Sequence, residues 1–185
     1  DLYYVYNFTL PAMCDFEKYN VWTDGYYVNL RTFAGSGNDT VLIGVMNRDR
    51  MLKGDPAAGM ILSRLPGLGI INKNTQFPSC PKVLSCDGAL PPFGKPNYLM
   101  YYTNLNCGDT SNSIVIYKVS TDTTLKKCTV TLDTVLATAP FNSYFAGFGT
   151  TACIAQPSNN AWPLDGMFQF RVPYIDRKST RLNSS

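Results

Sequence analysis

The chain has 185 residues, 45% of them hydrophobic, with 12 Tyr and 10 Phe against only 16% charged residues. That is enough chain for one domain with a real core, and a composition rich in aromatics, Gly and Pro favours a turn-rich β protein over a helical bundle or a disordered chain. The formal charge of +3 does not indicate nucleic-acid binding: the basic residues are scattered, with no cluster longer than Lys126-Lys127 to steer phosphates.

Strand-like runs recur along the chain. "LYYVYNFTL" (2–10), "YYVNLRTF" (26–33), "TVLIGVMNR" (40–48) and "AGMILSRL" (58–65) come first. "NYLMYYTNL" (97–105), "SIVIYKVS" (113–120), "CTVTLDTVL" (128–136) and "GMFQFRVPY" (166–174) follow. Each is rich in β-branched or aromatic residues, and several alternate with period two, as a half-buried strand does. "FAGSGNDT" (33–40) is a turn cluster of hairpin length. Helix is expected only around "RDRMLKGDP" (48–56), about one turn near Arg50 to Lys53 before Gly54 and Pro56 stop it. No apolar run reaches the roughly 18 residues of a membrane helix. The expectation is an all-β domain of antiparallel strands.

The last ten residues, "DRKSTRLNSS" (176–185), change character and resemble translated sequencing-adapter read-through of metagenomic origin. The domain is accordingly expected to span 1–175 as a fragment truncated at both ends, with 176–185 a non-native tail that packs on nothing. Without the tail the charge falls from +3 to +1, because Arg177, Lys178 and Arg181 leave together with Asp176.

Six cysteines, Cys14, Cys80, Cys86, Cys107, Cys128 and Cys153, form no CxxC pair, and the chain contains no histidine. Zinc therefore lacks its usual ligands, and an even count reads as disulfides in an oxidising compartment. Local pairing would join Cys80 to Cys86 and Cys107 to Cys128, although spacing does not fix the connectivity. The sequons at Asn7 and Asn38 are compatible with export. Secretion or cell-surface exposure follows as the expected location.

"VWTDGYYVNLR" and "AWPLDGMFQFR" share a Trp, then Asp-Gly, then an aromatic strand carrying Arg, and their Asp24 and Asp165 lie 141 residues apart, three steps of 47. Propeller blades run about 40–50 residues with four strands each, so the echo points to a partial β-propeller, with a β-sandwich as the alternative. On "DFEKYNVWTDGYY" (15–27), "RDRMLKGDP" (48–56), "DGALPPFGKPN" (87–97), "CIAQP" with "LDG" (153–166) and "FRVPY" (170–174), the chain resembles a family of uncharacterised secreted bacterial proteins with propeller-like bodies. Glu17 and Thr23 depart from it where the family has proline, and Ile175 stands where it has Arg. The resemblance implies an architecture and export, and no reaction.

Without histidine, Ser-His-Asp and Cys-His nucleophile arrangements are excluded. A glycosidase needs two facing carboxylates, for which Asp24, Asp87 and Asp165 are the candidates, each before a Gly. Asp-Gly is also a favoured turn pair, so turn chemistry is the preferred explanation for each. Trp22 and Trp162 are candidate sugar platforms, with core packing preferred. The Pro-rich loop 87–97 reads as an ordered surface loop rather than a ligand for another module. Asn38 and Asp39 offer hard oxygens for Ca²⁺ but lack the dense spacing of a known loop, so neither a metal nor a cofactor is expected. These residues point to a non-catalytic extracellular scaffold or binding module for an unknown glycan or protein. The alternative is a carbohydrate-active hydrolase using the loop aspartates.

Overall fold

In the computed structural model, two runs of four antiparallel strands follow one another along the chain. The structure describes residues 3–33, 40–65, 82–86, 88–103, 105, 110–122, 126–141 and 172–174. The first sheet takes β1 (Met13–Val21), β2 (Tyr26–Phe33), β3 (Val41–Met46) and β4 (Met60–Arg64) in chain order, with α1 (Arg48–Leu52) in the β3–β4 connection. The second takes β5 (Lys82–Cys86), β6 (Asn97–Thr103), β7 (Ser113–Asp122) and β8 (Lys127–Ala137), ordered β8-β7-β6-β5-β9. The added β9 (Val172–Tyr174) pairs with β5 in parallel, so one ladder departs from the expected antiparallel pattern. The protein is mainly antiparallel β. No closed sheet forms among the described residues, and a propeller is not shown.

The strand pattern was legible where side chains alternate or run apolar, and misleading at the first strand. Residues 3–10 are extended and half-buried at every second position, Tyr6, Phe8 and Leu10, yet pair with no strand. Phe8 and Leu10 instead pack on Val28, Leu30, Leu42 and Met46, covering the outer face of the first sheet, and Tyr6 Oη donates to Met51 O at 3.2 Å. The true first strand is "MCDFEKYNV", poor in β-formers, held by its register on β2 and interrupted by a shift between Asp15 and Lys18. β5, "KVLSC", was likewise unmarked by composition. α1 starts two residues before the expected Arg50, capped by Asn47, whose Oδ1 accepts from Arg50 N at 3.1 Å, and Gly54 turns the chain after it with φ +69°.

The two sheets face each other across the main core, where Trp22, Tyr27, Val41, Ile43 and Val45 of the first meet Val83, Leu99, Val115, Tyr117, Val119 and Val130 of the second. Burying each such aliphatic side chain contributes about 1.5–3 kcal/mol. Directional links also cross the seam, among them Asn20 Nδ2 donating to Val83 O at 3.2 Å and Trp22 Nε1 to Lys95 O at 2.9 Å. Corresponding strands lie about 70 residues apart, 71 from β2 to β6 and 72 from β3 to β7. The 141-residue interval between Asp24 and Asp165 therefore matches two such steps better than the three of 47 expected from sequence.

Candidate functional site

The turn "WTDG" joins β1 to β2, and Trp22 N–H donates to Gly25 O at 3.0 Å to close it. Gly25 does not take the positive φ expected of an Asp-Gly turn; among the described residues that backbone occurs in Gly54, Gly88, Gly94 and Lys126. It is needed for room, because a Cβ there would lie 2.9 Å from Met46 O and 3.0 Å from Val45 Cγ1. Close approach to β3 thus sets Asp24 at the seam of the two sheets.

Asp24 there is more than a turn residue. Tyr27 Oη donates toward both carboxylate oxygens, each at 3.0 Å, and lies 3.1 Å from Thr121 Oγ1 on β7. With its proton committed to Asp24, the phenol accepts from Thr121, so one hydroxyl chain crosses between the sheets. Cys128 is the register partner of Thr121 on β8, and its buried thiol extends the cluster. Burial raises the Asp24 pKa, opposed by the hydrogen bond from Tyr27 and one from its own backbone. Burial likewise raises Tyr27, with the Asp24 charge adding to it, and raises Cys128, with the neighbouring Thr121 hydroxyl opposing that rise. A neutral thiol and phenol at neutral pH make this a holding cluster, with no activated nucleophile.

A cleft of about 500 Å³ opens over Asp24. Val45, Met46, Met60, Ile61 and Leu62 form its apolar wall, Asn47 and Thr121 add polar groups, and Arg50 and Lys126 add positive charge. Arg50 is braced by Asp55 Oδ2 at 3.5 Å and by Ala57 O at 3.5 Å. Lys126 sits with φ +51°, a left-handed backbone rare outside glycine, where the chain enters β8. Arg50 and Lys126 were not singled out in the sequence. Their signal is weak there, since one lies in a helix of five residues and the other in a hairpin, 76 positions apart.

The sequence candidates fall in different places. Trp22 is 1% exposed with its indole N–H on Lys95 O, so it packs the seam and offers no face to a sugar. Asp87, Asp165, Trp162, Asn38 and Asp39 lie outside the described residues, as does the 176–185 tail. Among the cysteines, Cys14 and Cys128 are thiols, against the expectation of full pairing and of a Cys107–Cys128 bond in particular. Cys128 points into the inter-sheet core, where its neighbours are Thr121 and the aliphatic packing. Cys86 donates to Ala89 O at 3.1 Å, while Cys80, Cys107 and Cys153 lie outside the described residues. No group of three or more metal-ligating side chains occurs among the described residues, and no helix among them is long and apolar enough to cross a membrane. Compared with protein-family models, with curated proteins and with solved structures, the chain shows no match.

Proposed function

We propose that the chain is a non-catalytic binding module of the cell exterior, part of a β-propeller-like body, whose ligand occupies the cleft over Asp24. The observation that carries this is the make-up of the cleft: among its described lining residues Asp24 is the sole carboxylate, and Arg50 and Lys126 line it too. Hydrolysis of a glycoside by paired carboxylates calls for a second one about 5–9.5 Å away. A single carboxylate clamped by Tyr27, beside two cations and an apolar wall, suits recognition of a polar ligand. The propeller component is supported by two successive four-stranded meanders stacked face to face, the unit from which propellers are built. The extracellular component is supported by the sequons at Asn7 and Asn38.

The rival, a carbohydrate-active hydrolase, draws on the raised Asp24 pKa, as a general acid would require. A ligand array of glycans and short peptides, run beside a panel of glycosidase substrates, separates the two. Binding without turnover supports the module. Turnover that disappears in Asp24→Asn overturns it.

A further inference from the structure

The charges of the cleft are arranged for a ligand that carries both signs. Asp24 and Lys126 line one cavity and form no ion pair with each other: the carboxylate is engaged by Tyr27 and its own backbone, and Arg50 by Asp55 and Ala57. They stand on separate elements, Asp24 on the β1–β2 turn, Arg50 on α1 and Lys126 at the start of β8. Left unmatched, a half-buried carboxylate is costly, and a ligand ammonium is the partner that offsets that cost.

Resting on the binding-module reading above, we propose that the cleft binds a zwitterion: an apolar amino acid or short peptide with its ammonium on Asp24, its carboxylate toward Lys126 and Arg50, and its side chains against Met46, Met60, Ile61 and Leu62. Three features select this class. The carboxylate retains accepting capacity, because the Tyr27 hydroxyl supplies one proton to two oxygens with about four lone-pair sites between them. The volume of about 500 Å³ lies within the usual range for small-ligand pockets. Neutral sugars fit poorly, since no aromatic side chain is among the described lining residues and both signs of charge would go unanswered.

The test is calorimetric titration of the full chain with leucyl-leucine, its N-acetyl form and its C-terminal amide. The free dipeptide binds, and capping either end weakens binding by about tenfold or more, the effect of losing about 1.4 kcal/mol. Asp24→Asn abolishes the penalty for acetylation, and Lys126→Met, at an exposed position that leaves the core untouched, reduces the penalty for amidation. Equal binding of free and doubly capped peptide overturns the zwitterion while leaving a binding module standing. So does binding of a neutral glycan where the dipeptide fails at millimolar concentration. Turnover of a glycoside lost in Asp24→Asn overturns both.

Discussion

β3 and β7 occupy the same place in their sheets, third in each run of four, and their side chains meet different surroundings. β3, "VLIGVM", is buried at all six positions, because the second sheet covers one face and the arm at 3–10 with α1 covers the other. β7, "SIVIYKVSTD", alternates, its Ser113, Val115, Tyr117 and Val119 turned inward and its other face more open. Farther out on β8, Leu132, Val135 and Leu136 are 57%, 53% and 47% exposed. The same four-stranded plan thus carries two sequence grammars. A continuous apolar run marks a strand covered twice and alternation one covered once.

The largest effects should fall on the doubly covered sheet and the seam. Trp22→Ala removes a fully buried indole and its bond to Lys95, with an expected loss of about 3–5 kcal/mol; Ile43→Ala costs about 2–5 kcal/mol. Leu132→Ala, on the open part of β8, should stay within about 0.5 kcal/mol. Urea denaturation of the three variants checks the ranking, and equal losses at Ile43 and Leu132 would abolish the distinction between the sheets.

Glycines sharpen the same contrast. A Cβ on Gly44 would sit 2.8 Å from Val28 Cγ1 and 2.9 Å from Met60 Sδ, so Gly44→Ala overpacks the arm side of the first sheet and costs about 1–3 kcal/mol. A Cβ on Gly59 meets nothing within 4 Å, and Gly59→Ala should leave the thermal midpoint nearly unchanged. Asn29 moves stability the other way. Its buried amide nitrogen and oxygen have no hydrogen-bond partner, so Asn29→Val should raise stability by about 1 kcal/mol.

Among the polar groups, the link across the seam carries a modest effect. Tyr27→Phe removes the hydroxyl that joins Asp24 to Thr121, with an expected cost of about 0.5–1.5 kcal/mol. Titration of the link has a definite sign. The folded-state pKa of Asp24 lies above the ordinary value of 3.8, so the native state holds that proton more tightly than the unfolded chain does. The stability it contributes is fully present below 3.8 and is lost as pH rises through the native pKa. Stability curves of wild type and Asp24→Asn against pH should therefore draw apart in slope just above that value. Parallel curves would place Asp24 in ordinary solvent.

Much of the scaffold follows from local sequence. Six of the strand-like runs became strands over nearly their expected span, because alternation and β-branched content state which face is buried before any partner is known. Asn47, Gly54 and Pro56 likewise bound α1 through cap and backbone chemistry confined to a few residues. Pairing is another matter. The aromatic arm at 3–10 had the better strand composition, and the polar run at 13–21 took the ladder, since a strand is stabilised by the edge it meets and β2 offered its edge to the latter. Gly25 was legible as a turn residue, but the need for it comes from Val45 and Met46, some twenty positions on. So it is with the site. Asp24 could be picked from its dipeptide, whereas Tyr27, Thr121, Arg50 and Lys126 join it only when the sheets stack, and contacts spanning 94 residues leave no local pattern to read.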